Sequence, residues 1–417
     1  MNNFFDKLKK PFTRKGAHAK NAVRYFLIVV AFLTMLFFSN DFDLINVQQT
    51  AIVMAVGIDK EGEDFSVTSQ IAIPSAGNAK EESGTKSVNV TTKGKTIAQA
   101  LDKVNEKTGW YPKLVFCRLI LLGESMASEN AFDTLDYFLQ DEYIADSCLV
   151  AACEGKAETL LSTKTPIDTA GALAMEKVLS NHAQRVGTSL PNTLRIFAAS
   201  YFGEAKSGFL PLVKAEPLSA GPKETEKNSA QKTGGKGENG GQKEGQTGQE
   251  EKVFSASETA LYLAGKQIGK LTKEETFTCA LLKNKLRLAA YTLPYEGQTY
   301  TLTIKRATPK IKLRIENTPV LKVEIEMTAG VSATDKARPL LKTADVGDFP
   351  KKLLAEGERR IQAEVHALFE KCRGIGFDLC DAIDKLQKYE NVHFEDKKDT
   401  LLKECALSVQ VKIRSVR

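Results

Sequence analysis

Seven cysteines and four histidines are the residues of this chain best suited to metal binding, redox exchange or nucleophilic attack. The cysteines stand at 117, 148, 153, 279, 372, 380 and 405, with no CxxC among them and no His at zinc-ligand spacing. Several lie inside apolar runs, as in Phe116-Cys117 and Asp146-Ser-Cys-Leu-Val-Ala-Ala-Cys153, and read as small buried hydrophobes. An odd count leaves at least one unpaired within the chain, and Cys372 with Cys380 is the near pair worth a redox test. His182 lies on a polar stretch, His366 on the wet side of an expected helix, and His393 in a loop beside Glu395 and Asp396. Each reads as a surface histidine. There is no Gly-rich phosphate loop before Lys-Ser or Lys-Thr, no GxSxG and no HExxH. Asp59 ends an apolar strand and precedes a turn, a place where Asp caps and tightens backbone. Trp110-Tyr111 follows Gly109; it reads first as packing of a helix–strand turn and second as an anchor at a membrane surface or a partner. These residues assign no catalytic, cofactor-binding or metal-binding position, and the expectation is a protein that is not an enzyme and carries no cofactor.

The elements around them begin with an apolar run, Tyr25–Phe38, free of charge, Pro and Gly. Its polar residue, Thr34, can bond its hydroxyl back to a helix carbonyl. At about 1.5 Å per residue its 14 residues cover about 21 Å, so a span here needs Arg24 to snorkel or the bilayer to thin. Lys7, Lys9, Lys10, Arg14, Lys15, Lys20 and Arg24 precede the run against the single acid Asp6; Asp41 and Asp43 follow it. The positive-inside rule then puts the N-terminus in the cytoplasm and residues 41–417 on the extracytoplasmic side. A cleaved signal peptide is the second reading, though Phe37-Phe38-Ser39-Asn40 is a poor cleavage site, and a buried core helix is the third.

The net charge of +6 equals what the N-terminal bases supply, so the rest of the chain is close to neutral and gives no sign of nucleic acid. Hydrophobic residues at 42% and charged residues at 26% are those of ordinary globular domains.

Six segments follow in order. Residues 1–21 are a basic cytoplasmic tail and 22–40 a transmembrane anchor. Residues 41–162 form an N-terminal α/β domain. In it Ala51–Lys60 is a strand buried on both faces and Phe65–Pro74 its hairpin partner; Ser87–Thr92 alternates and Thr96–Thr108 is an amphipathic helix. Leu114–Leu122 is a strand, Ser125 a cap for the next helix, Ser147–Cys153 a strand and Ala157–Leu161 a short helix. Residues 163–216 are a small second domain, in which Phe209–Val213 is an edge strand because Pro211 cannot donate to a ladder. Residues 217–253, almost without apolar side chains, are a flexible linker. Residues 254–417 form a C-terminal α+β domain: a hairpin about Gly265, strands at Thr299–Lys305, Ile311–Ile315 and Leu321–Met327, a helix Pro350–Cys372, a helix Asp378–Tyr389 and a last strand Leu407–Arg414. The fold class is α+β: a mixed α/β, multi-domain extracytoplasmic protein with antiparallel-rich sheets, tethered by its N-terminal helix.

Several short motifs, in this order, resemble the Ger(x)C family, the C subunit of bacterial spore germinant receptors. They are the apolar strand Ala51-Ile-Val-Met-Ala-Val-Gly-Ile-Asp59; Leu119-Ile-Leu-Leu-Gly-Glu-Ser-Met-Ala127; Leu139-Gln-Asp-Glu-Tyr-Ile, followed by a strand and Gly155-Lys-Ala157; the stretch Ala260–Glu275, a strand–turn–strand ending in Glu-Glu; Gly376-Phe-Asp-Leu; and the alternating last strand. Members are normally lipoproteins with a Cys soon after the signal run, whereas the first Cys here is Cys117, and the run at 25–38 can take over the anchoring. They commonly carry a Trp where this chain has Asn391-Val-His-Phe394. The resemblance implies a three-domain mixed α/β fold and a non-enzymatic subunit in the spore inner membrane. Its implied partners are the membrane, a polytopic transporter-like subunit and a second membrane subunit. A ring-forming or scaffold protein of the sporulation membrane machinery and a solute-binding module are the alternatives.

Overall fold

The computed structural model describes residues 23–35, 50–73, 86–218, 251–315, 318–334 and 351–415. The chain divides into two units, Met1–Thr50 and Ala51–Arg417. In the first, helix α1 (23–35) leaves all its side chains exposed, and Thr34 Oγ1 donates to Val30 O at 2.7 Å, the back-bond its position predicts. Among the described residues no helix is long and apolar enough to cross a membrane. The expected tail 1–21, the ends of the expected anchor 22–40, most of the linker 217–253 and Pro350 lie outside the described residues.

The second unit holds two sheets. Strands β1 (Thr50–Glu61), β2 (Asp64–Ala72) and β3 (Ser87–Gly94) form an antiparallel meander. Helix α2 (Ile97–Thr108) follows, with Thr96 as its cap and Gly109 closing it in the left-handed conformation. Then come β4 (Tyr111–Lys113), β5 (Leu119–Leu122), α3 (Ala131–Gln140), β6 (Leu149–Cys153), α4 (Ala157–Ser162), α5 (Gly171–Val178), α6 (Asn181–Val186), β7 (Asn192–Thr193), α7 (Leu194–Phe202) and β8 (Ser207–Pro217). The hairpin β9 (Lys252–Leu263) and β10 (Lys266–Leu271) completes a sheet of order β10-β9-β8-β6-β5-β1-β2-β3, with β4 on β1 and β7 on β6.

The three central strands β1, β5 and β6 are parallel and buried on both faces. Alternate residues go to opposite cores. Val56, Ile58, Ile120, Leu122, Val150 and Ala152 pack with α2, α3 and α7, while Ala55, Leu119, Leu121, Ala151 and Cys153 pack with α4 and α5. This is the buried strand that the unbroken apolar run of Ala51–Lys60 predicts.

The separate domain expected at 163–216 is corrected by the packing. Helix α5 gives Ala172 and Met175 to one core of this sheet and α7 gives Leu194 and Phe197 to the other. Short helices without a core of their own bury their apolar faces on whatever sheet is nearest. Strand β8 is likewise interior rather than an edge. Its ladder to β6 begins at Leu212, one residue past Pro211, so no bond of that ladder needs the missing N–H.

Strand pairing crosses the expected boundary at 253/254. Strand β9 pairs with β8 from Ser207–Leu263 to Pro217–Lys252, and Leu218 N–H donates to Glu251 O at 2.7 Å. Residues 219–250 therefore join two neighbouring strands of one sheet. The expected strand Leu114–Leu122 is shorter than its apolar run, with a 3-10 turn at Leu114–Phe116 ahead of β5. Asn130, not Ser125, caps α3, its Oδ1 accepting from Phe132 N–H at 3.0 Å.

Helix α8 (Lys273–Leu282) leads into the second sheet: β11 (Ala289–Tyr295), β12 (Gln298–Ile315), β13 (Pro319–Thr334) and β14 (Ala406–Ser415), in that order. The two alternating stretches at Thr299–Lys305 and Ile311–Ile315 are one long strand, β12. The first three strands are antiparallel, and β14 joins parallel to β13. Helix α9 (Lys351–Gly374) covers this sheet with Leu353, Gly357, Ile361, Val365, Leu368 and Cys372, and α10 (Ala382–Tyr389) closes the core. Leu261 and Leu271 of the β9–β10 hairpin belong to this second core, so the hairpin serves both halves.

Candidate functional site

Three motifs far apart in sequence meet at the C-terminal ends of β1, β5 and β6. Asp59, 3% exposed, accepts from Ala157 N–H through Oδ1 at 2.9 Å and from Glu158 N–H through Oδ2 at 3.1 Å. It caps α4 from another strand and satisfies two donors that a helix start leaves orphaned. Gly123 lies against it so closely that a Cβ there would overlap Asp59 Oδ1. Glu124 reaches across to Gly155 twice, its N–H donating to Gly155 O at 2.9 Å and its carboxylate accepting Gly155 N–H at 2.9 Å. Ser125 Oγ accepts Lys60 N–H at 2.8 Å. Gly57 lets α4 sit on β1, since a Cβ there would stand 2.8 Å from Leu161 Cδ1.

Burial pushes the Asp59 carboxyl above its ordinary range, against the two N–H bonds and the charge of Lys156. A cleft of about 350 Å³ opens over this knot, lined by Asp59, Lys60, Glu124, Ser125, Gly155 and Lys156. Lys156 pairs with Glu61 at 3.1 Å. The Asp59 carboxylate is therefore engaged with backbone, as its place in the sequence predicts, and the Ser125 hydroxyl, which also lines the cleft, holds the end of β1.

A second knot repeats the device. Asp378, 3% exposed, accepts from Ala382 N–H at 2.8 Å and Ile383 N–H at 2.9 Å and so caps α10. Burial raises its carboxyl as well. Its own N–H donates to Ser207 Oγ at 3.1 Å, tying the C-terminal half to β8. At α8, Thr272 and Glu275 form a capping box, and Glu275 also pairs with Lys371 of α9 at 2.6 Å.

The other candidates are scattered. His182 and His366 are exposed and His393 is half-buried in its loop. All seven cysteines are free and buried, Cys372 and Cys380 among them, and burial pushes both of those thiols up to about 12. Cys117 and Cys148 lie just ahead of the paired strands β5 and β6, and their thiols donate to the Leu119 and Leu149 carbonyls at 3.6 and 3.7 Å. Among the described residues no three His, Cys, Asp or Glu side chains are grouped to hold a metal ion. Trp110 and Tyr111 are 43% and 46% exposed, so a large part of each side chain faces outward from the turn.

The convergence of short motifs on buried caps defines a class of two-sheet α+β protein whose diagnostic polar residues fasten helices to strands. Residues 43–215 match the family described as spore germination protein N-terminal domain, and residues 257–417 match spore germination B3/GerAC like, C-terminal. The chain belongs to this Ger(x)C family of spore germination proteins. It is 25% identical over 314 residues to spore germination protein B3 of Bacillus subtilis strain 168, covering 74% of each chain. It is 27% identical over 173 residues to spore germination protein A3 of the same organism, covering 40% of this chain and 45% of that one. The crystal structure of the GerBC protein shares the fold, with a TM-score of 0.52 and 16% identity over 87% of this chain and 97% of that one.

Proposed function

We propose that this chain is a membrane-anchored, extracytoplasmic subunit of a spore germinant receptor complex and acts in germination without catalysis. Residues 22–40 hold it in the spore inner membrane, with 41–417 outside. The observation that carries the reading is the family match along both halves, joined to the geometry of the motifs that make it. Asp59, Glu124, Asp378 and Glu275 all bond to backbone at helix or turn starts. These carboxylates are occupied in fastening helices and turns, which supports a reading without catalysis. The partners implied are a polytopic transporter-like subunit and a second membrane subunit.

The test is isolation of the tagged full chain from detergent-solubilised spore membranes, with its companions identified by mass spectrometry. Stoichiometric recovery of a polytopic membrane protein, and slowed germination when the gene is deleted, are the expected results. A closed assembly of this chain alone would overturn the receptor reading in favour of a ring-forming scaffold.

A further inference from the structure

Exposed apolar side chains are unevenly placed on the unit Ala51–Arg417. Ile73 follows β2 and Val88 lies in β3, both level with the start of β1 through the pairs Ile52–Ala72 and Ile71–Val88. Trp110 and Tyr111 lie at the end of α2 and in β4, which pairs with β1. Val115 and Phe116 precede β5, where Arg118 N–H donates to Met54 O at 2.9 Å. Tyr143, ahead of β6, carries Lys113 Nζ 4.7 Å from its ring centroid. Among the described residues of this unit, seven of the fourteen exposed large apolar side chains thus gather at the N-terminal end of β1, β5 and β6. The capping knot of Asp59 occupies the other end.

We propose that this end of the sheet lies on the lipid surface, with Trp110, Tyr111, Phe116 and Tyr143 set into the headgroup layer. An exposed apolar patch this concentrated marks an interaction surface, and Trp and Tyr rimmed by Lys are the residues of a membrane–water interface. The occupant follows from the chain itself. Residue 50, at the start of β1, is separated from helix α1 by only residues 36–49, a tether of at most about 50 Å, and the apolar run upstream is the proposed anchor. Charge attraction contributes little, because Arg118 is paired with Glu176 at 3.1 Å and Lys113 lies over the Tyr143 ring. Contact therefore comes from the rings and persists at high salt. The inference rests on the anchored reading given above.

Trp110 is the only Trp of the chain and reports on this end directly. The full chain is reconstituted into phosphatidylglycerol–phosphatidylethanolamine vesicles with and without lipids brominated near the headgroup. Trp110 is expected to lose about half its emission to the brominated lipid and to be shielded from acrylamide, as an interfacial Trp is. Phe116→Asp and Tyr143→Asp, each at an exposed position, are expected to reduce the quenching at an unchanged melting temperature. Alkaline carbonate extraction reads the anchor separately. Release of the chain by carbonate defeats the anchored reading, whereas a retained chain with unquenched Trp110 defeats this one alone. A Trp110 shielded from acrylamide but untouched by brominated lipid would mean that a protein, a second copy or another subunit, covers the patch, and would also overturn the proposal.

Discussion

Gly123 stands against the carboxylate of Asp59 with no room for a methyl group between them. The contact joins the end of β5 to the end of β1, and through Asp59 to the start of α4. Gly123→Ala must therefore displace the carboxylate from Ala157 and Glu158, orphaning two helix N–H groups as well as straining the strand ends. The expected loss is about 3 kcal/mol, from overpacking and a broken cap together. Gly374→Ala is the control: a Cβ there meets nothing within 4 Å, and the change should be neutral within about 0.5 kcal/mol. Urea melts of the two variants decide. Equal tolerance would show that the Asp59 cap can be rebuilt elsewhere.

The same carboxylate carries a pH signature. Its folded-state pKa lies above the ordinary 3.8 because burial outweighs the N–H bonds. The folded protein then holds that proton more tightly than the unfolded chain. Its contribution to stability is largest at acid pH and falls as pH rises from 3.8 through the folded value. Asp59→Asn removes this titration. The variant should trail the wild type most at pH 4 and regain ground by pH 7, read as the difference in urea midpoints. A gap that is constant across this range would mean that Asp59 titrates as an exposed carboxylate. Asp378 is raised for the same first cause, so Asp378→Asn should behave alike.

The segment 219–250 invites a third experiment. Its flanks, Leu218 and Glu251, are hydrogen-bonded at 2.7 Å, so the segment leaves and re-enters one β-hairpin. Replacing residues 220–249 by a short Gly/Ser turn should leave the cooperative melt within about 1 kcal/mol, since closing a shorter loop between ends already held together changes little entropy. A loss of several kcal/mol would show that the segment packs on the sheet.

What could be read from sequence divides along physical lines. The doubly buried strand Ala51–Lys60, the amphipathic helix expected at Thr96–Thr108 and the alternation of β12, β13 and β14 are local patterns, and each is present in the fold. The continuity of one sheet across residues 217–253 was not legible. A polar segment such as 219–250 marks a place where the chain leaves the core, and composition alone cannot say whether it returns to the same sheet. Pairing of β8 with β9 decides that. The cap at α4 was half legible: Asp59 reads as a capping residue, but its partner Ala157 lies 98 residues away. Gly123 does follow the end of β5 but also lies against Asp59, and Ser125, read as a helix cap, bonds Lys60 of β1 instead. The exposure of Trp110 and Phe116 had no local signal, because a turn aromatic looks the same in sequence whether or not a neighbour covers it.

The last strand gives the sharpest pairwise test. Val411 and Ile413 of β14 are buried in the core with Ile361, Val365 and Leu368 of α9, and Gly357 of α9 lies where a Cβ would be 3.2 Å from Ile413 Cδ1. Lys412, between them, points to water, and Val411 is level with Ile325 of the neighbouring β13. Val411→Asp places a carboxylate in that core without a partner and should cost about 3 kcal/mol or more. Lys412→Asp should change stability by no more than about 0.5 kcal/mol, because the site is exposed and its ladder bonds are main-chain. Both belong in the full chain, since the β9–β10 hairpin contributes Leu261 and Leu271 to the same core and a fragment starting at 254 would cut into β9. Leu407 and Val409, half-buried nearer the start of β14, grade the effect: Asp at 409 should cost less than Asp at 411. Urea midpoints in the order Lys412→Asp, Val409→Asp, Val411→Asp, from mildest to most severe, are expected. Equal midpoints for the first and last would mean that β14 frays from the sheet and that α9 holds this half without it.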